Sequence, residues 1–360
     1  MLHDMTLPHG EHTARLALAS LDGMGAPRYE QLLREFDSAQ EALNANITAL
    51  QSVSDISFSM AERIIALRDR LDAVEERWES LWRQGVVARL SDTPEYPEPL
   101  RKIPGPPPLL LTWGLEGALP ERSLAIVGTR NPCPEGLEAA ATAARIARED
   151  GWCVVSGLAR GIDTAAHRAA IAARGSGEWG SIAVVGHDLT SMYPPEHRQL
   201  AVEVGRAGAV ASECLFGAVG ARRLVRRNRI ISGLCRGVMV IQSGREDGAL
   251  HTARFAETQR RDVAVWDPAE LTVASAGTAE LVSRGRRHYN AATFAGWLDH
   301  LGSRTEFPDP MLLFDKSKRP SRGYWLYARE TVDAAGGCGA EAVVPDYRAV
   351  DGQGACGSPW

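Results

Sequence analysis

A chain of 360 residues, 44% of them hydrophobic and 24% charged, can bury the cores of two or three domains. The formal net charge of −5 at pH 7 excludes a uniformly basic protein, so a nucleic-acid binder of this composition needs a local basic patch. Nearly all basic residues are arginine, which binds phosphate bidentately, although genomic base composition is the simpler cause of that usage.

The six cysteines are scattered and form no Cys-x-x-Cys pair, so neither a zinc site nor a redox motif is predicted. The first residues lack the apolar stretch of a signal peptide, and no window approaches about 18 uninterrupted apolar residues. These features predict a reduced, cytoplasmic protein with no membrane partner.

Residues 12–84 show apolar positions at helical spacing and predict a small all-helical domain over 1–84. The breaker Asp22-Gly23-Met24-Gly25 separates two helices, and Gly85 follows a longer amphipathic helix as a C-cap does. A glycine turn between short helices can grip DNA phosphates, but the motif is short and a plain bundle turn is the favoured interpretation.

Residues 86–120 are rich in proline, yet the run LLLTW predicts extended structure packed against the segment after it. From 121 to 267, short apolar runs alternate with helical segments, which is typical of a parallel sheet covered on both faces. We therefore predict an α/β fold with a doubly wound, Rossmann-like, mostly parallel sheet over 85–300. Residues 301–360 are rich in glycine and alanine and predict an irregular tail. The predicted strands are 124–127, 153–155, 182–185, 209–212, 238–241 and 263–265, and the predicted helices are about 135–149, 164–173, 196–207, 224–234 and 249–260.

Glycines, hydroxyls and arginines follow the first two predicted strands, where ligands bind in open parallel sheets. Glycines let backbone amides approach a bound group, and arginines beside them add full charges, as a phosphate site requires. The competing interpretation is that the glycines only permit tight turns. The candidate phosphate-binding residues are Gly128, Thr129 and Arg130 after the first strand, and Ser156, Gly157, Arg160 and Gly161 after the second.

The stretch RRLVRRNRIISGL places five arginines within eight residues. In a helix, Arg222, Arg226 and Arg229 fall on one stripe at i, i+4 and i+7. Alone this stripe would be a solvated face, but its place in the predicted sheet makes it a candidate wall of the phosphate pocket. The candidate DNA-binding residues here are Arg222, Arg223, Arg226, Arg227, Asn228 and Arg229.

The motifs of several enzyme classes are missing. The turn GTRNPCPEG is not the GxGxxG of dinucleotide-binding sheets, and neither a P-loop, a Gly-x-Ser-x-Gly elbow nor a His-Glu-x-x-His occurs. Asp163 and His167 could form an acid–base or metal pair, but an N-capping aspartate and a packed histidine are favoured. Glu213 and Glu246 are expected to be solvated. We predict no catalytic residue, no metal and no cofactor.

Several strings, in this order, resemble the DprA/Smf family of DNA-processing proteins: AIVGTRNPCPEG, VVSGLARGIDTAAHRAAI, YPPEHRQL, RRNRIISGL and DGALHTARFA. The resemblance covers about 12–285 and implies that the helical segment is a SAM-like domain. It also implies a non-enzymatic, cytoplasmic, homodimeric protein that binds single-stranded DNA, protects it and loads RecA recombinase onto it in natural transformation.

Carried over by motif, the resemblance makes residues 128–130 the family's G-[ST]-R turn. Ser156, Gly157 and Gly161 match its second phosphate loop, and residues 227–229 match its RNR segment. Where many members have an aromatic–proline pair, this chain has Leu224-Val225, so stacking of a base there is in doubt. His197 replaces a common asparagine, SECLFG replaces Ser-Glu-Phe-Pro-Pro-Gly, and the tail does not resemble a winged helix.

Two other functions stay open at this point. The LOG phosphoribohydrolases share a related fold, but their loop Pro-Gly-Gly-x-Gly-Thr-x-x-Glu is missing from SGREDGALHTARFAE, where Glu257 lies five residues after Thr252. A module of the same fold that senses nucleotides or DNA is the other alternative, and the sequence does not exclude it.

Overall fold

The computed structural model of the chain describes residues 9–308, except 174–178, 218–219, 268, 270, 272–274 and 305. Most of the tail predicted from residue 301 onward therefore lies outside the described residues. None of the helices in the described part is both long enough and apolar enough to cross a membrane.

The amino-terminal segment is helical, as predicted. Three of its helices begin at a side-chain cap: Ser38, Asn46 and Ser57 each accept a hydrogen bond from the backbone N–H three residues later. The first turn forms at Gly23, whose φ of +81° suits glycine, and Gly25 precedes the next helix. The helices are α1 (His9–Ala19), α2 (Ala26–Phe36), α3 (Ala39–Asn44), α4 (Ile47–Ser52), α5 (Phe58–Ile65) and α6 (Leu71–Arg83).

One nine-stranded sheet forms the centre of the described structure, in the order β1-β2-β6-β5-β4-β3-β7-β8-β9. Its pairs are parallel except β1 with β2 and β2 with β6. The mostly parallel, doubly wound fold is thus confirmed. The strands are β1 (Val86–Leu90), β2 (Leu109–Gly114), β3 (Ser123–Val127), β4 (Cys153–Ser156), β5 (Ser181–Val185), β6 (Gly208–Ser212), β7 (Gly237–Val240), β8 (Asp262–Trp266) and β9 (Arg287–Tyr289).

Helices cover both faces of the sheet. Five of them lie at nearly the predicted positions: α8 (Pro134–Glu149), α9 (Ile162–Ala172), α10 (Arg198–Ala207), α11 (Ala221–Gly233) and α12 (Gly248–Thr258). The sequence pattern did not predict α7 (Glu98–Arg101), α13 (Ala276–Ser283) and α14 (Phe294–Gly302). Along β3 the side chains alternate: Leu124 and Ile126 pack with α8, α9 and α14, whereas Ala125 and Val127 pack with α11 and α12.

The amino-terminal helices pack against the antiparallel end of the sheet. A single buried cluster joins Leu16 and Trp78 of these helices with Val86 of β1, Leu111 of β2 and Val204 of α10. A shared core of this kind links the helical segment to the sheet. The predicted domain boundary between residues 84 and 85 stays a prediction.

The winding of the chain reverses between β3 and β7. From β3 the strands proceed through β4 and β5 to β6 on one side, and the chain then returns to add β7, β8 and β9 on the other. In open α/β sheets the crevice at such a reversal, outside the carboxyl ends of the strands, is the usual ligand site.

Candidate functional site

A small, open depression lies where the loops after β3, β4 and β5 meet α11. It gathers positive charge and apolar surface from four separate parts of the chain. Its lining residues are Arg130, Gly157, Ala159, Arg160, Tyr193, Pro194, Leu224 and Arg227.

The loop after β3 is held by backbone contacts. The Thr129 N–H donates to the carbonyl of Gln242 at 2.7 Å, and the Thr129 carbonyl accepts from Ile162 N–H at 3.2 Å. A Cβ at Gly128 would lie 2.5 Å from the Ile162 side chain, so the close approach of α9 requires glycine there. Arg130 is exposed, lines the depression and has no ion-pair partner within the described residues.

Two of the four candidate residues in the loop after β4 contact other parts of the protein and do not line the depression. Ser156 is fully buried, and its hydroxyl donates to the backbone of β3 at 2.7 Å. Gly161 has φ +75°, and a Cβ there would lie 2.4 Å from the Thr129 carbonyl. Gly157 reaches the depression, and a Cβ on it would lie 2.4 Å from the Arg227 guanidinium. Ser156 and Gly161 therefore shape the loop in this conformation, and Gly157 makes room for Arg227.

Arg227 is the buried cation at the floor of the depression. Its Nη1 donates to the Gly157 carbonyl at 2.6 Å and also to the Val184 carbonyl, so it bridges the ends of β4 and β5. Burial lowers the pKa of Arg227 to about 10, with Asp163 opposing and Arg130 reinforcing that shift. The group stays charged at neutral pH, and its two hydrogen bonds from Nη1 go to uncharged carbonyls.

Arg160 stands at the rim in an exposed ion pair. Its Nε and Nη2 lie 2.6 and 2.5 Å from Oε1 of Glu196, and both side chains are about half exposed. Exposed pairs of this kind are weak, so an incoming anion can take the place of the carboxylate.

The opposite side of α11 is neutralised by a carboxylate at the end of β6. Glu213 lies 2.7 Å from Arg229 and 3.5 Å from Arg226, which also lies 3.1 Å from Asp22. Burial raises the pKa of Glu213, but the charges of Arg229 and Arg226 outweigh it and hold that pKa below its ordinary value. The expectation that Glu213 is solvated is wrong, because the two arginines enclose it. Arg226 and Arg229 face Glu213 and are not among the residues that line the depression.

The remaining candidates of the arginine run have other surroundings. Arg223 donates to the Phe216 carbonyl at 3.0 Å, and Asn228 donates to the Gly248 carbonyl at 3.1 Å. Arg222 is exposed and forms no ion pair in the part of the chain that the structure describes. Of the five arginines, Arg227 is the one that lines the depression. The role of the others in binding stays a prediction.

Asp163 and His167 have separate partners. The Asp163 carboxylate accepts hydrogen bonds from Gly157 and Ala159 N–H at 3.1 and 3.3 Å, so it braces the preceding loop, and Gly161 is the N-cap of α9. The prediction that Asp163 is the N-cap of this helix is therefore wrong. Burial raises the pKa of Asp163 against the opposing Arg227 charge. His167 is fully buried with Nδ1 2.7 Å from Ser181 Oγ, and burial lowers its pKa to about 3, which confirms a packed histidine.

Possible metal ligands are dispersed. Among the described residues, no group of three or more histidines, cysteines or carboxylates is arranged to hold a metal ion.

Sequence reasoning missed Tyr193 and Pro194 as lining residues. Both stand in YPPEHR, in the connection that follows β5, and Tyr193 is exposed at its edge of the depression. The rule that selected the loops after β3 and β4 would have included this one, because it too lies at the carboxyl edge of the sheet. Leu224, noted for its departure from an aromatic residue, also lines the depression.

Residues 88–294, more than half of the chain, match the family model described as DNA recombination-mediator protein A. The chain belongs to this family. It is 33% identical to the protein named Smf from Synechocystis over 264 residues, which is 71% of this chain and 65% of that protein. It is also 33% identical to DNA processing protein DprA from Bacillus subtilis over 206 residues, 57% of this chain and 68% of that protein. The match thus spans about two thirds of these relatives.

Two solved structures of proteins named DNA processing protein A share the fold. DprA from Streptococcus pneumoniae aligns with a TM-score of 0.64 and 25% identity over 81% of this chain and 98% of that one. DNA processing protein A from Helicobacter pylori, studied for its single-stranded DNA binding mode, aligns with a TM-score of 0.52 and 24% identity over 60% of this chain and 96% of that one.

Proposed function

We propose that this chain is a non-enzymatic, single-stranded DNA-binding protein that holds the strand across the depression after β3, β4 and β5. In this proposal it protects the strand and hands it to RecA recombinase in natural transformation, acting in the cytoplasm as a homodimer. The observation that carries the proposal is the convergence of Arg130, Arg160 and Arg227 on one open depression that also has apolar lining.

The chemistry of the depression suits a nucleic-acid strand. Arg130 and Arg160 are exposed guanidinium groups that can take phosphates bidentately, and the charge of Arg227 lies beneath them. Tyr193 and Leu224 give sugar and base an apolar contact surface. The depression is small and open, so it fits one unit of a polymer better than a large enclosed cofactor.

At the strand reversal, a protein side chain occupies the place where a nucleotide phosphate would bind. This favours the proposal over the phosphoribohydrolase and nucleotide-sensing alternatives. A nucleotide on this kind of sheet places its phosphate at the helix N-terminus beside the reversal. Here the Gln242 side chain accepts from Cys133 N–H at 3.0 Å, and a Cβ on Gly136 would lie 2.5 Å from the same oxygen. The protein's own amide group thus fills the first turn of α8.

Family membership supports the remaining parts of the proposal. The Helicobacter pylori relative with the same fold is described by its single-stranded DNA binding mode. Relatives named for DNA processing support a role in handling DNA. RecA loading, strand protection and dimerisation are what the family resemblance implies.

Binding of a labelled oligothymidylate, measured by fluorescence anisotropy at several salt concentrations, tests the proposal. If three arginines each neutralise one phosphate, the logarithm of the binding constant falls against the logarithm of salt with a slope of about −2. Arg130→Ala should weaken binding about 10- to 100-fold, as expected when a charge-assisted contact is removed, and should flatten that slope.

Arg206→Ala is the matched control. Arg206 is also an exposed arginine, but it lies in the last turn of α10, near the amino end of β6 and away from the carboxyl ends of the strands. Its loss should leave binding nearly unchanged. Equal affinities for the wild type and Arg130→Ala would refute the site, and release of free base from nucleoside monophosphates would instead establish the enzymatic alternative.

A further inference from the structure

The lining of the depression has two chemically different parts. Arg130, Arg160 and Arg227 supply cations, whereas Tyr193 and Leu224 supply apolar surface together with Pro194. Tyr193 is 36% exposed, which makes it one of five large hydrophobic side chains with notable exposure among the described residues. The Tyr193 ring is thus exposed in the same depression that three arginines line, where it can contact a ligand that the arginines bind.

The loop that carries Tyr193 is held in place by hydrogen bonds to the buried His187. The Tyr193 N–H donates to Nε2 of the buried His187 at 3.3 Å, and Nδ1 of that ring lies 2.9 Å from the Asp188 carbonyl. Since a carbonyl only accepts, Nδ1 carries the proton and Nε2 is free to accept. The Asp188 carboxylate accepts from the backbone N–H groups of Thr190 and Ser191 at 3.0 and 2.9 Å. The backbone at Tyr193 is therefore ordered by a chain of hydrogen bonds.

We propose that the Tyr193 ring is the stacking platform for one nucleobase of the bound strand, while the three arginines hold the phosphates on either side of it. This inference rests on the proposed single-stranded DNA binding and names the contact that would recognise the base. Leu224 is partly buried and cannot stack, so on this wall of the depression the aromatic contact comes from the loop after β5 and not from α11.

Stacking on this ring would give the site two properties. Every base has a π face, so binding tolerates any sequence, and because hydrogen bonds already hold the backbone at Tyr193, only the side-chain torsions become ordered on binding. A base in a duplex has both faces covered by its neighbours, so it must be unstacked before it can reach the ring. Tyr193 would thus contribute to the preference for single strands over duplex.

The test compares two probes of equal length: an oligothymidylate and a fully abasic strand that has phosphates and sugars but no bases. Tyr193→Ala should lower the affinity for the oligothymidylate about tenfold and leave that for the abasic strand unchanged. Tyr193→Phe should retain wild-type binding of both, which also shows that the loop folds without the hydroxyl. Phe58→Ala, which removes another exposed aromatic from the amino-terminal helices, should change neither.

A second measurement reads the contact directly. An oligonucleotide with a single 5-iododeoxyuridine should photo-crosslink to the peptide that contains Tyr193, and the yield should fall in Tyr193→Ala but not in Phe58→Ala. If Tyr193→Ala binds oligothymidylate as tightly as the wild type, or the crosslink maps to another element, the stacking inference is overturned and the proposed function stands. If the wild type binds neither probe, the proposed function itself fails.

Discussion

The two sides of α11 carry the same residue type in opposite situations. Arg226 and Arg229 both meet the mostly buried carboxylate of Glu213, so their charges are compensated by the protein itself. Arg227, between them in sequence, meets two neutral carbonyls and lies at the floor of an open depression. A count of arginines does not separate these cases. A buried ion pair, such as that of Arg229 with Glu213, distinguishes an arginine that supports the fold from one that remains available to an anion.

Burial disfavours the charged form on both sides of α11, but the neighbouring charges overcome it only around Glu213. Around Glu213, the attraction of two cations outweighs the cost of burial, and the pKa of the carboxyl is lowered. At Arg227, burial outweighs the attraction of Asp163, and the pKa of the guanidinium is lowered. A phosphate in the depression would add a second negative charge to that of Asp163 near Arg227, so ligand binding and local stability are coupled there.

The largest effect is expected from Arg227→Ala. It removes the donors to the Gly157 and Val184 carbonyls and leaves the buried Asp163 carboxylate without its cation. The free energy of unfolding should fall by about 3–5 kcal/mol, together with loss of single-strand binding. Urea denaturation followed by tryptophan fluorescence measures it. An unchanged urea midpoint would show that Arg227 serves only the ligand.

Glu213→Gln should have the next largest effect, about 2 kcal/mol at pH 7, because Arg226 and the buried Arg229 lose their counter-charge. Strand binding by the folded variant should change far less than in Arg130→Ala, since neither arginine lines the depression. A loss of binding as large as that of Arg130→Ala would mean that both sides of α11 contact the ligand.

The same substitution has a defined pH dependence. The pKa of Glu213 is lower in the folded protein than in the unfolded chain. Its contribution to stability is therefore fully present above the ordinary glutamate pKa of about 4.3 and is lost as the pH falls through the folded value. In urea titrations at decreasing pH, the gap in stability between the wild type and Glu213→Gln should close below that pH. A constant gap would contradict the ion-pair assignment.

The smallest expected effect is a gain in single-strand affinity. Glu196→Gln removes the carboxylate that occupies Arg160, so single-strand affinity should rise by up to about fivefold with stability unchanged. Glu149→Gln is the control, because Glu149 forms a similar exposed pair with Arg145, 3.0 Å apart, at the far end of α8. Weaker binding by Glu196→Gln would show that the carboxylate orients Arg160 for the ligand instead of competing with it.

Short continuous apolar runs predicted the six strands β3 to β8, and the depression lies at the carboxyl ends of three of them. Buried strands in a parallel sheet are continuous apolar runs, and such runs need no knowledge of distant partners. The edge strands β1 and β9 were missed because Arg89 interrupts the first and Arg287 begins a strand of three residues. Both strands depend on pairing with a neighbour more than on their own pattern.

The orientation of the arginines could not be predicted from the sequence. The partner of Arg229 is 16 residues away at Glu213, and Asp22, which pairs with Arg226, is 204 residues away. Helical spacing places Arg222, Arg226 and Arg229 on one stripe but does not say which stripe faces the depression. The packing of α11 against the sheet turns Leu224 and Arg227 toward it instead.

Gln242 determines which part of the sheet's carboxyl edge is open to a phosphate. The Gln242 side chain, just after β7, lies at the first turn of α8, which is where mononucleotides bind on open α/β sheets. The open depression lies one loop away, beside Gly157 and Arg160. If a strand binds there as proposed, the amide group of Gln242 keeps the first turn of α8 from competing for its phosphates.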